Sequence, residues 1–175
     1  MDEYWDLLNE EREPLGLLHL RGDKIPVGMY HLVVHSWIMD DNGRFLISQR
    51  QVGRTDELLW ERTGGSVLAG ETSLQSAIRE VKEELGIDIY DCRHFFIKSE
   101  RRDSRQDFFD AWLFLIDNSH LLCKIDEKEV LAWKWVTLED MDNLKKHHLL
   151  VTTSEYYDEV YRFYESLNVS PQKMR

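Results

Sequence analysis

The chain has 175 residues, 42% of them hydrophobic and 31% charged, which suits one domain with a real core and leaves little room for two. Its 22 Lys and Arg against 33 Asp and Glu give a net charge of −11, which speaks against general nucleic-acid binding and against an anionic membrane surface as the main partner. No apolar run approaches the ~20 residues of a membrane span.

The N-terminus is acidic (Asp2, Glu3, Asp6), whereas a secretory leader needs a basic start and an apolar stretch, so a cytoplasmic location is expected. Residues 3–25, with Trp5, Leu7, Leu8, Leu15, Leu17, Leu18 and Leu20, read as a strand, a turn at Pro14–Gly16 and a second strand. Tyr30–Met39 is rich in β-branched and aromatic residues and closes on Asp40, Asp41, Asn42 and Gly43, a hairpin signal. Arg44–Arg50 returns as the second hairpin strand, and Gln51–Glu57 is a polar loop.

Thr72–Leu85 is the clearest helix, opened by Thr72 and Gln75 in capping-box spacing and stopped by Gly86. Ile87–Ser99 and Asp107–Ile116 read as strands around a charged turn, Glu100–Gln106, and Glu129–Trp135 as another. Thr137–Lys145 starts on a Thr cap with acids and ends on lysines, matching the helix dipole. Ser154–Leu167 is a final helix with an apolar stripe of Tyr157, Val160, Tyr161, Tyr164 and Leu167. Interspersed strands and helices predict an α/β or α+β domain with a mixed sheet. Cys92 and Cys123 are too few for a disulfide framework and fit free thiols in a reducing compartment.

On a helical wheel, Leu74, Ala77, Ile78, Val81 and Leu85 share one arc, and Glu80, Glu83 and Glu84 share another. Like charges at these spacings repel, and anions in the C-terminal half of a helix oppose its dipole. A sequence that accepts both costs is either well solvated or holds a cation. Just upstream, Thr63, Gly64, Gly65 and Gly70 form a loop whose backbone can approach a ligand closely. Carboxylates on adjacent turns suit Mg²⁺ or Mn²⁺, which also take up phosphate oxygens. Together these features point to hydrolysis of a phosphoanhydride.

Gly65, five residues, Glu71, seven residues, then Arg79-Glu80-Val81-Lys82-Glu83-Glu84-Leu85-Gly86-Ile87 resembles the Nudix box at every defined position. The resemblance extends over about residues 28–145, with strands 3–25 and helix 154–167 flanking that core in a single domain. It implies a Nudix-type α/β/α sandwich with a mixed β-sheet. It also implies metal-dependent cleavage of a nucleoside diphosphate linked to another group, with Mg²⁺ or Mn²⁺ as cofactor. The implied metal ligands are Glu83 and Glu84, with Glu80 as a further ligand or as base for the attacking water. Arg79 would orient these glutamates, Glu71 would position loop and helix, and Gly64 would offer its carbonyl. A carboxylate from outside the box is expected from Glu127 or Glu129. A small anionic diphosphate is the expected partner, and a homodimer is compatible with the family.

The opening stretch also resembles the isopentenyl-diphosphate-isomerase-like branch, in which His31 corresponds to a histidine near the metal. Those isomerases use a cysteine on the strand entering the metal helix, where this chain has Thr63, Gly64 and Gly65. Hydrolase is therefore favoured over isomerase, and over a non-catalytic nucleotide-binding domain, because every box glutamate is present. His31 and His35 share one sheet face, and His31 is a candidate substrate contact set against the reading as a hydrogen-bonded sheet histidine. Arg50, at a strand end, is the candidate phosphate contact. Arg54 and Arg62 read as solvated loop residues, Arg101, Arg102 and Arg105 as a charged hairpin tip, and Trp60, Phe108, Phe109 and Trp112 as core.

Overall fold

The computed structural model describes residues 2–117 and 123–168. The sequence folds around one strand that is buried on both sides, β3 (His31–Asp40). It pairs parallel with β8 (Asp107–Ile116) along its whole length, His31 facing Asp107 and Asp40 facing Ile116. On its other edge it is shared. Its C-terminal end pairs antiparallel with β4 (Phe45–Arg50) through the hairpin turn, where Gly43 sits at φ 72° and donates its N–H to Asp40 O. Its N-terminal half pairs antiparallel with β6 (Thr63–Ser66). β4 continues outward to β5 (Trp60–Glu61) and β9 (Val130–Val136), and β8 continues to β7 (Arg93–Arg102). Among the described residues this makes one mixed sheet of seven strands, beside a two-stranded hairpin, β1 (Tyr4–Leu8) and β2 (Pro14–Leu20).

The two faces of the sheet carry two cores. Trp37 and Met39 join Phe45, Ile47 and Leu113 under α2 (Leu138–Lys146) and α3 (Tyr157–Asn168), which contribute Met141, Leu144, Val160 and Tyr164. Val34 and Ile38 join Leu46 and Phe114 under α1 (Ser73–Leu85), which contributes Ala77, Val81 and Leu85. Helices on both sides of a mixed sheet make the expected α/β/α sandwich. Burial on both faces is why Tyr30–Met39 reads as a near-continuous apolar run rather than an alternation.

α1 begins and ends where its sequence says. The Thr72 side chain accepts from the Gln75 N–H, and the Gln75 side chain accepts from the Thr72 N–H. Such a cap is worth about 1 kcal/mol. Gly86 closes the helix in the left-handed region at φ 68°. A Cβ there would fall 2.5 Å from Lys124 O, so only glycine fits.

Several boundaries differ from the sequence reading. The first hairpin turns over Asn9–Glu13, where Asn9 Oδ1 accepts two backbone N–H groups, and Pro14 opens β2 instead of lying in the turn. Residues 87–92 form no strand: Ile87 and Ile89 pack beneath α1, and β7 starts at Arg93 and runs to Arg102. The last helix starts at Tyr157, after a 3-10 turn over Thr152–Ser154. Leu74 and Ile78 are only half-buried at the edge of the α1 core, whereas Glu84 is buried on the arc read as polar.

Candidate active site

A cleft of about 650 Å³ opens where β6, α1 and the segment leading into β9 meet β3. The pairing of Gly64 with His35 and of Gly65 with Val34 lays β6 against the central strand. α1 then packs back over β6. A Cβ on Gly65 would lie 2.3 Å from the carboxyl carbon of Glu80, so glycine is what lets that carboxylate rest on the strand. The third wall is pinned by backbone bonds to the end of α1. Lys124 N–H donates to Leu85 O, and Asp126 N–H donates to Glu84 O. Gln51 N–H donates to Glu129 O and holds the same segment from the β4 side.

Arg79 organises the acidic face. Its guanidinium donates to Glu71 Oε1 at 2.9 Å and Oε2 at 3.0 Å, Glu80 Oε1 at 2.8 Å and Glu83 Oε2 at 2.9 Å. It also reaches Ser76 Oγ at 2.9 Å and Ser66 O at 3.1 Å. Burial alone would lower its pKa, but the hydrogen bonds it donates to Glu71 and the charge of Glu80 outweigh that and raise it. Glu71 accepts in addition the Leu68 N–H at 3.1 Å, which ties the glycine loop to the helix. Burial pushes the Glu71 carboxyl up, yet its bonds from Arg79 and Leu68 hold it below the usual range.

Glu80 and Glu84 face the opposite balance. Burial raises the carboxyl of Glu84 well above the ordinary range, and the negative charges of Glu61, Glu80 and Glu129 add to the rise. Burial likewise raises Glu80, against the pull of Arg79. Four carboxylates thus line one partly dry cleft, which costs free energy unless a proton or a cation joins them. The donors are all oxygen, the chemistry a hard divalent cation takes. Among the described residues, no three His, Cys, Asp or Glu side chains stand together as a ready-made ligand group. Arg79 instead holds one oxygen each of Glu80 and Glu83.

The cleft gathers Gly64, Arg79, Glu80, Glu83, Glu84, Glu129, Arg50 and His31 of the residues singled out in the sequence. Glu127 is not among them. It lies exposed on the turn, its carbonyl accepting from Gln51, while Glu129 points inward and takes a two-pronged bond from Arg54 at 3.2 and 3.1 Å. Arg50 donates to Glu61 at 2.5 Å and to Thr55 O. His31 is no hydrogen-bonded sheet histidine: its Nδ1 is buried without a partner and its ring stacks on Trp5 at 4.1 Å. Burial pushes its pKa down to about 4, against the opposing charge of Asp107, so the ring is neutral at pH 7. His35 is the hydrogen-bonded one, its Nδ1 2.8 Å from the Tyr156 hydroxyl.

Three features of the cleft escape the sequence reading. Glu61 joins the carboxylate cluster. Arg62 is 5% exposed rather than solvated, its backbone N–H bonded to Ser154 Oγ. Arg102 leaves the hairpin tip to reach the cleft, where it clasps the buried Asp107 at 2.6 and 2.8 Å. Only Thr63 separates Glu61 and Arg62 from the Gly64-Gly65 pair, and that closeness is the signal the sequence offers. Phe108 and Phe109 are core, as read, whereas Trp60 and Trp112 are half-buried.

Comparison with known proteins gives a concordant result. Residues 29–154 match the NUDIX domain family. An uncharacterised Nudix hydrolase of Listeria monocytogenes is 38% identical over 147 residues, covering 82% of this chain and 85% of that protein. The isopentenyl-diphosphate Delta-isomerase of Klebsiella pneumoniae is 30% identical over 144 residues, covering 79% and 78%. The crystal structure of DR0079 from Deinococcus radiodurans superimposes with a TM-score of 0.72 at 20% identity, over 91% of this chain and 98% of that one.

Proposed function

The chain belongs to the Nudix family as a hydrolase of phosphoanhydride bonds, and on that premise we propose that it is a metal-dependent pyrophosphohydrolase cleaving a nucleoside diphosphate linked to a second group. The observation that carries this reading is that Glu61, Glu80, Glu84 and Glu129 line one cleft, with Glu84 buried at 9% exposure. In a chain of net charge −11, an anionic diphosphate approaches such a place only when a cation neutralises it.

Glu80, Glu83, Glu84 and Glu129, with the Gly64 carbonyl, are the groups that would hold Mg²⁺ or Mn²⁺. When bound, the cation supplies charge neutralisation for the diphosphate and lowers the pKa of water. The protein's own residues do the rest. Arg79 fixes the glutamates so that their oxygens need not reorganise during reaction. Glu80 accepts a proton from the attacking water at Oε2, the oxygen Arg79 leaves free. Arg50 orients a phosphate with the part of its fork not committed to Glu61 and Thr55. His31, neutral at pH 7, meets an uncharged part of the substrate.

The likeness to an isomerase supports a second reading, carbon protonation and deprotonation. Against it, Cys92 and Cys123 both lie outside the cleft, and no cysteine stands at Thr63–Gly65, where the resembling isomerases carry theirs. Among the described residues no helix is long and apolar enough to cross a membrane. The proposal takes the protein as acting in the cytoplasm, where both thiols stay reduced. A screen of nucleoside di- and triphosphates, sugar nucleotides and dinucleotides with Mg²⁺ and Mn²⁺ tests it. Phosphate or nucleotide release that stops in EDTA is the expected result. Full turnover in excess EDTA, or conversion of isopentenyl diphosphate to its allylic isomer, would overturn it.

A further inference from the structure

Arg62 is buried deeper than any other arginine of the cleft, at 5% exposure. Its backbone is anchored, the N–H donating to Ser154 Oγ at 3.3 Å. Its side chain has no carboxylate in hydrogen-bond reach. Nε is unpartnered, Nη2 lies 3.5 Å from Thr153 Oγ1, and Nη1 lies 4.0 Å from Glu61 Oε2. Glu61 is already engaged by Arg50 at 2.5 Å. The hydroxyl of Tyr156, also beside Arg62, is neutral and already serves Trp37 Nε1 at 3.0 Å and His35 Nδ1 at 2.8 Å. Other arginines at this end are spent: Arg50 on Glu61 and Thr55 O, Arg54 on Glu129, Arg79 on Glu71, Glu80 and Glu83.

Burying a guanidinium without meeting its donors is costly. Its position says what completes it. A Cβ on Gly64 would fall 3.3 Å from Arg62 Nη1, and a Cβ on Gly65 would fall 2.3 Å from the carboxyl carbon of Glu80. Adjacent glycines of β6 therefore make room for one basic and one acidic side chain. Arg62 belongs to the acidic end and lines the same cleft as Glu61, Glu80 and Glu84. A cation that takes those carboxylates cancels the negative charge facing Arg62, and an incoming anion is then what balances the guanidinium. The planar fork matches a pair of phosphate oxygens.

Building on the hydrolase reading, we propose that Arg62 is a substrate-binding residue of this site, its guanidinium donating directly to nonbridging oxygens of the diphosphate once the cation is in place. The carboxylates reach the diphosphate only through the cation, whereas Arg62 reaches it without an intermediary. It sets how tightly the loaded site holds a diphosphate and neither gives nor takes a proton.

The test is binding rather than turnover, with methylenediphosphonate, a diphosphate whose bridging oxygen is replaced by carbon and which cannot be hydrolysed. Mn²⁺ binding to the full chain is followed by electron paramagnetic resonance, and binding of the analogue to the Mn²⁺-loaded protein by calorimetry. Wild type should bind both. Arg62→Gln should bind Mn²⁺ within about threefold of wild type or tighter, since it removes a positive charge and no metal-holding group, while its affinity for the analogue falls at least about tenfold. Arg62→Lys keeps the charge and the stem, so it reports even if Arg62→Gln fails to fold. Without the fork it should hold the analogue at least about threefold more weakly, with Mn²⁺ binding retained. Analogue affinity unchanged in the folded variants overturns the inference. So does loss of Mn²⁺ binding together with the analogue, which would make Arg62 a support of the metal site, and so does a Mn²⁺-loaded wild type that ignores the analogue. A wild type that binds no Mn²⁺ would instead sink the metal-dependent reading on which the inference rests.

Discussion

Arg79→Ala should destabilise the metal-free protein by about 2–3 kcal/mol. Truncating one partner of a fully buried ion pair costs about 3–5 kcal/mol, because the other charge is left uncompensated. Here the Arg79 side chain retains 22% exposure, Glu71 23% and Glu80 14%, so water recovers part of that cost. The Glu83 arm, 60% exposed, counts as a surface pair of about 0–1 kcal/mol. Arg79→Lys keeps the charge, but a single ammonium with three donors cannot span acceptors from Ser66 to Glu83, and a loss of about 1–2 kcal/mol is expected. Urea unfolding in EDTA at pH 7.5 measures both. A double-mutant cycle with Glu71→Gln should return a coupling of at least about 1 kcal/mol. If Arg79→Ala lies within about 0.5 kcal/mol of wild type, or Arg79→Lys is indistinguishable from it, the guanidinium is a bystander and the account of the acidic face is wrong.

Glu84→Gln should lower turnover on a confirmed substrate at least about a hundredfold, the scale of ~3 kcal/mol in the transition state. In EDTA the same variant should melt above wild type, because a buried carboxylate crowded by Glu61, Glu80 and Glu129 becomes neutral; a lower melting temperature there would contradict the crowding. Leu85→Ala empties a fully buried position beneath α1 and should cost about 2–5 kcal/mol in urea while leaving the acidic residues in place. His31 should make stability pH-dependent. Unfolded, it takes a proton near its ordinary value of 6.5, but folded only near 4, so the unfolded state binds more protons between those limits and stability falls as pH falls. From pH 7.5 to 5, wild type should lose about 2 kcal/mol more than His31→Gln; equal slopes would show that His31 titrates normally in the folded protein.

Much of this molecule is written locally. Thr72 and Gln75 cap α1 and Gly86 ends it, because those signals act within one turn of backbone. The spacing from Gly65 to Ile87 marks the box, because helix geometry alone places Glu80, Glu83 and Glu84 on one arc. The apolar run of β3 announces a strand covered on both faces. What the sequence left open are contacts between residues far apart along the chain. Glu127 and Glu129 are equivalent acids on one turn until bonds from Lys124 and Asp126 to the end of α1 orient that turn and send only Glu129 inward. Glu84 lies on the polar arc of a wheel, but a wheel describes one helix in isolation. The packing of β6 and the segment before β9 against α1 buries Glu84 on that arc while Glu83 keeps its water. Arg62 reads as a loop cation until the pairing of Trp60 with Leu149 and Val151 folds Thr153 and Ser154 over it. Local spacing sets which side chains an element offers; the tertiary fold sets how much water each one keeps, and that decides its charge and its chemistry.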